Sequence, residues 1–187
     1  MNAEHTTILD AALEVFLRYG FRRTTMGDIA KAAGLSRQSL YSRFANKDEV
    51  YAAGLDLHTQ RIVADLKSAF LEAATIEDAM DGFAAISIVS TFEMLNQSPD
   101  ASDLIEAAKS PEGQAAMARS SLLKRQLLAD LFEPYTTALK THGLSPLQLA
   151  EFVETNKLAI SKSAQTRAQL DAQIATLKAS VVALTKG

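Results

Sequence analysis

Three adjacent side chains, Arg37, Gln38 and Ser39, are of the types that read base edges in nucleic acid. A guanidinium can give two N–H donors to O6 and N7 of guanine, and a glutamine amide can pair with N6 and N7 of adenine. They lie in a basic stretch, where residues 18–47 hold Arg18, Arg22, Arg23, Lys31, Arg37, Arg43 and Lys47 against one acid, Asp28. This stretch is +6 while the whole 187-residue chain is −3, so the remainder carries −9. Six of the twelve aromatics also fall in the first 51 residues: Phe16, Tyr19, Phe21, Tyr41, Phe44 and Tyr51. A basic, aromatic-rich segment joined to an acidic remainder implies two parts with different partners.

Other chemistries have little to work with. The sequence contains no Gly-rich phosphate loop, no G-x-S-x-G, no H-E-x-x-H and no calcium loop. His5, His58 and His142 lack ligand-like spacing, and without cysteine there is no disulfide, thiolate metal site or cysteine nucleophile. The expectation is a protein that is not an enzyme and needs no metal or cofactor. No apolar run approaches the roughly 20 residues of a membrane helix, and the Met1 end lacks a basic-then-apolar leader. A cytoplasmic location with no membrane partner is expected.

The elements that must position these side chains are helices. Ala (32) and Leu (24) far outnumber Gly (8) and Pro (4), and all four prolines lie beyond residue 98, which favours an all-α fold. Ile8, Leu9, Ala12, Leu13, Phe16 and Leu17 mark one helical face over residues 5–19, and Gly20 follows as a left-handed stop. Thr25 with Asp28 three positions on forms a capping box for a short helix through Ile29, Ala30 and Ala33 that stops at Gly34. Ser36 caps a second short helix, Arg37 to about Arg43, with Leu40 turned inward. Two short helices joined by A-A-G-L-S have the form of a helix-turn-helix. Asn46 caps a further helix from Lys47, with Asp48 and Glu49 in its first turn.

The stretch TTMGDIAKAAGLSRQSLYSRFANKDEVY resembles the DNA-binding domain of the TetR family of bacterial transcriptional regulators, over about residues 6–55. The family pattern runs Thr, D-I-A-x-x-A-G-hydrophobic-Ser, then hydrophobic-Tyr-x-x-Phe-x-x-Lys-acidic. Ser42 departs from it, because many members carry Tyr or His after the first aromatic. In such a motif the second helix enters the major groove with its N-terminal residues at the bases. Those residues are Arg37, Gln38 and Ser39. The resemblance implies phosphate contacts for Thr25, Tyr41 and Lys47, and Arg22, Arg23 and Arg43 are placed to reach the flanking backbone. It also implies an N-terminal three-helix domain over residues 1–46 and a C-terminal ligand-binding and dimerisation domain over 47–187, connected by the helix from about Lys47.

That helix is expected to run to about Phe70, with Leu55, Ile62, Leu66 and Phe70 on its apolar face. Residues 82–92, GFAAISIVSTF, carry no charge and read as a helix buried nearly all round within a stretch from Ile76 to about Gln97. N-Q-S-P-D then breaks the chain, S-P-E restarts it at Pro111, and Leu122 to Leu139 reads as an amphipathic helix bent or broken at Pro134. Met80, Phe83, Ile86, Ser87, Ser90, Thr91 and Met94, with Phe132 or Tyr135, are either the lining of a small-molecule site or simple close packing. Their apolar character with a few hydroxyls suits a neutral or weakly polar ligand.

Two last helices are expected over about Pro146–Ser163 and Thr166–Leu184. Leu170, Ile174, Leu177, Val181 and Leu184 follow 4,3,4,3 spacing, and the helix before offers Leu149, Phe152, Val153 and Ile160, interrupted by Asn156. In the TetR family the last two long helices usually form the dimer interface, so the resemblance assigns this stripe to a homodimer; the same stripe would also serve as intramolecular core. Asn156 is either a register-setting residue or a rim residue. The leading expectation is a dimeric, ligand-responsive regulator, most often a repressor, bound to a palindromic double-stranded DNA operator and released by a small molecule. The alternative is a helical small-molecule or protein-partner binding module without sequence-specific DNA binding.

Overall fold

The computed structural model describes residues 3–97, 103 and 107–186, and every regular element among them is helical. The order is α1 (Ala3–Tyr19), α2 (Met26–Ala32), α3 (Arg37–Tyr41), α4 (Lys47–Glu72), α5 (Ile76–Phe83), a π-helical turn (Ala84–Val89) and α6 (Ser90–Gln97). Then follow α7 (Pro111–Phe132), a 3₁₀ turn (Glu133–Tyr135), α8 (Thr136–Thr141), α9 (Pro146–Ser163) and α10 (Arg167–Thr185). No helix among the described residues is long and apolar enough to cross a membrane. Residues divide into two compact units, one of 1–60 with 95–120 and the other of 61–94 with 121–187; α4 and α7 each run through both.

In the first unit, Ile8, Leu9, Phe16, Ile29, Leu40 and Val50 are at most 1% exposed and close a core under α1, α2, α3 and the start of α4. Phe16, Phe21 and Tyr51 pack as three rings with centroids 5.2–6.1 Å apart. Burial pushes the Tyr51 phenol up to about 12. Gly20 (φ 78°) and Gly34 (φ 69°) adopt the left-handed conformation that ends α1 and turns the chain from α2 to α3. α3 is shorter than the expected Arg37 to Arg43, because Ser42 and Arg43 already serve as its C-terminal cap and turn.

The second unit buries Leu66, Met80, Phe83, Ile88, Leu128, Phe132, Leu139, Leu149, Val153, Leu170 and Val181. The segment expected to be one uniformly buried helix differs in two ways. Ala85 and Ser90 are exposed, and residues Ala84–Val89 form a π-helical turn. Met80, Ala84, Ile88 and Phe92 are all buried at spacing of four. On a 3.6-residue helix that row would drift round the axis; the wider turn keeps it against one core. Three successive carbonyls of this segment accept hydroxyl groups, Ile86 from Ser90, Ser87 from Thr91 (2.8 Å) and Ile88 from the buried Ser161 (2.9 Å).

The expected helix from Leu122 is the second half of α7, which begins at Pro111. Nothing between Gly113 and Pro134 breaks a helix; α7 ends at Phe132 and passes into the 3₁₀ turn Glu133–Tyr135, because Pro134 has no N–H to continue the α-helical ladder. The expected break at residues 98–100 lies outside the described residues.

Candidate nucleic-acid interface

α2 and α3 are set by their caps. The Thr25 side chain accepts from Asp28 N (3.2 Å), while Asp28 Oδ2 accepts from Thr25 N (2.9 Å) and Thr25 Oγ1 (2.6 Å). Those bonds, aided by the Arg37 and Lys31 charges, hold the Asp28 carboxyl below the usual range. Ser36 Oγ accepts from Ser39 N (3.1 Å), so the Arg37–Tyr41 turn starts at a defined point. Leu40 is completely buried beneath it, which leaves the opposite side of α3 outward.

Arg37, Gln38 and Tyr41 all lie on that outward side, with Tyr41 54% exposed. None of their side-chain donors or acceptors is bonded to another described residue. Ser39 is half-buried and its hydroxyl accepts from Arg43 Nη1 (2.6 Å). The exposed Thr25 stands at the start of α2 and commits its hydroxyl to the cap.

Arg43 and Lys47 behave differently from these residues. The Arg43 guanidinium also donates to Ser39 O (2.7 Å) and forms an ion pair with Glu4. Lys47 Nζ donates to the carbonyls of Phe21 (2.8 Å), Thr24 (3.1 Å) and Arg22 (3.2 Å) and sits 4.5 Å from the centre of the Phe21 ring. An ammonium has three N–H groups, so these carbonyls occupy all of them. The sequence carried no sign of this clamp, because its acceptors are backbone atoms more than twenty residues away.

The residues expected to line a ligand site are only partly brought together. Met80, Phe83, Ser87 and Phe132 are buried; Ile86, Thr91, Met94 and Tyr135 are half-buried; Ser90 is exposed and turns its hydroxyl back to Ile86. Ser87 Oγ is fully buried without a hydrogen-bond partner among the described residues. The expected dimer stripe also divides. Leu149, Val153, Leu170, Leu177 and Val181 face the core of their own unit, and Ile174 and Leu184 pack partly against it. Phe152, 47% exposed, instead lines an outward groove with Asn156, Ile160, Ala172, Gln173, Thr176, Leu177 and Ser180. A helix turns by more than a quarter of a turn per residue, so Phe152, next to the buried Val153, falls on a different face.

A sequence pattern described as "Bacterial regulatory proteins, tetR family" matches residues 8–53. The HTH-type transcriptional repressor ComR of Escherichia coli strain K12 is 30% identical over 177 residues, covering 87% of this chain and 80% of ComR. The HTH-type transcriptional activator FasR of Mycolicibacterium smegmatis is 39% identical over 62 residues, 33% of this chain and 28% of FasR. In structure, the fatty acid degradation regulator FadR from Bacillus halodurans superimposes with a TM-score of 0.70 at 18% identity, covering 100% of this chain and 97% of FadR.

Proposed function

This chain belongs to the TetR family of transcriptional regulators and carries its DNA-binding helix-turn-helix, and from that premise we propose that it is a homodimeric, effector-released repressor. The observation that carries the DNA half is the outward row of Arg37, Gln38 and Tyr41, fixed by two caps and bonded to nothing else described. Arg37 and Gln38 read base edges, and Ser39 stands beside them at the groove. Thr25 and Tyr41 contact phosphate, and Arg22 and Arg23 flank them on the basic side. Arg43 and Lys47 act one step back, holding α1, α3 and the turn before α2 in register.

A single short α3 spans too few bases for a selective operator, so two copies related by a two-fold axis read a palindrome. The Phe152–Ser180 groove on α9 and α10 supports the dimer reading, because it is a partly apolar surface that these two helices present outward beside their own core. Repression is supported by ComR, which is named a repressor and matches over 87% of this chain and 80% of its own length. The effector is a neutral or weakly polar small molecule bound in the second unit. An unpartnered hydroxyl at Ser87 within the π-helical turn supports this, since such turns recur at functional sites and a buried free donor favours a ligand acceptor. Binding there shifts a population in which the two recognition helices no longer match successive major grooves.

Titration of the chain against a palindromic fragment from the region upstream of its own gene tests the reading. Selective binding that falls steeply with salt, weakens on a half-site and loses base preference in Arg37→Ala is expected. Binding that is indifferent to sequence, or unchanged preference in Arg37→Ala, refutes it.

A further inference from the structure

Gly27 is the second residue of α2, and it is not among the glycines with positive φ. Glycine is a poorer helix former than alanine, so neither backbone conformation nor helix stability calls for it here. What it supplies is room. A Cβ on Gly27 would lie 2.5 Å from Nη2, 2.6 Å from Nε and 2.8 Å from Cζ of Arg37, and these are its three nearest atoms. The Arg37 side chain therefore reaches back from the first residue of α3 and lays its guanidinium across the bare α-carbon of α2. The start of a helix repels a cation. Asp28, the next residue, offsets that with a carboxylate fixed by Thr25 N and Oγ1.

We propose that Gly27 is a positioning residue for base readout: by leaving α2 bare it seats the Arg37 guanidinium in the seam between α2 and α3. The seat sets which base of each half-site Arg37 addresses. The proposal rests on Arg37 being a base reader, and it makes specificity and helix stability pull in opposite directions at residue 27. An alanine there is the better helix former but pushes the guanidinium off its seat. Because the displaced atoms are the far end of a flexible side chain, the fold yields at little cost while the donors move.

The test uses the full chain and an operator selected from a randomised palindromic library, with wild type, Gly27→Ala, Arg37→Ala and the double variant. Gly27→Ala is expected to lose discrimination at the Arg37-dependent base by about 5- to 150-fold, the range of one bidentate pair. Its thermal midpoint should stay level or rise. In the Arg37→Ala background, Gly27→Ala should leave base preference unchanged and hold or raise the thermal midpoint, since its nearest obstacle is gone. If Arg37→Ala leaves base preference intact, the base-reader reading fails and the proposal falls with it. If Arg37→Ala relaxes one position while Gly27→Ala keeps the wild-type profile, the positioning proposal alone is overturned. It is equally overturned if Gly27→Ala lowers preference or stability as much without Arg37 as with it.

Discussion

Replacing Lys47 with methionine keeps the length of the side chain and removes its ammonium. Two of the lost hydrogen bonds, to Phe21 O at 2.8 Å and Thr24 O at 3.1 Å, are part-buried, and the third, to Arg22 O, is exposed. A hydrogen bond to a charged group contributes about 1.5–3 kcal/mol and an exposed cation–π contact about 0.5–1 kcal/mol. Taking the lower values for the two part-buried bonds and the Phe21 ring, and nothing for the exposed one, the variant should lose about 3–4 kcal/mol from the first unit. Urea unfolding followed by circular dichroism, with amide exchange around Thr24, measures this. Binding to DNA supplies a second readout. A lysine that neutralises a phosphate contributes about 0.9 to the slope of log affinity against log salt, roughly doubled in a dimer. A clamp whose three donors face carbonyls contributes nothing to that slope. A stability loss below about 0.5 kcal/mol together with a clear drop in salt slope would refute the clamp and restore Lys47 as a phosphate contact.

Ser87→Ala removes a buried hydroxyl that has no partner, so the free protein should gain about 1–2 kcal/mol while its response to effector weakens. Thermal melts with and without effector check both, and a destabilised Ser87→Ala would contradict the orphaned donor. Lys157 lies 2.6 Å from Glu154 Oε1, which Lys124 also approaches at 3.5 Å. Burial is the main cause that brings the Lys157 ammonium down to about 8; the Glu154 charge opposes the shift and Lys124 adds to it. Below pH 8 both the folded and unfolded chains hold this proton. Between 8 and the ordinary lysine value of about 10.4 only the unfolded chain does, so stability rises with pH across that window. The opposite trend from the Tyr51 phenol begins only above about 10, where the unfolded chain ionises and the buried group does not. Denaturant curves for Lys157→Met should lack the rise, and parallel wild-type and variant pH profiles would dismiss it.

Much of the first unit was legible because its signals are local. Thr25 with Asp28, Ser36, Gly20 and Gly34 each act on backbone within four or five residues, so their types and spacing determine where helices start and stop. The outward direction of Arg37, Gln38 and Tyr41 follows from the inward Leu40 one helical face away. Lys47, Arg43 and Gly27 were not legible in the same way. Their partners are Phe21 O, Glu4 and Arg37, which reach them only after the helices have packed.

The second unit shows the same limit from the apolar side. Periodicity over residues 146–184 located two helices correctly but could not say which neighbour each apolar stripe meets, since burial against the same chain and against another copy produces one pattern. Packing assigned Leu149, Val153, Leu170, Leu177 and Val181 to the chain's own core and left Phe152 outside. The π-helical turn at Ala84–Val89 is likewise a product of fit, because a run without charge carries no phase to reveal an extra residue per turn. Sequence alone therefore determined the all-helical class, the helix-turn-helix and the basic stretch over residues 18–47, through interactions between near neighbours and the sum of local charge. The clamp on the turn before α2, the seat of the Arg37 guanidinium, the orphaned Ser87 hydroxyl and the outer face of α9 and α10 were decided only by tertiary structure. Each depends on atoms distant in sequence that close packing forces into contact.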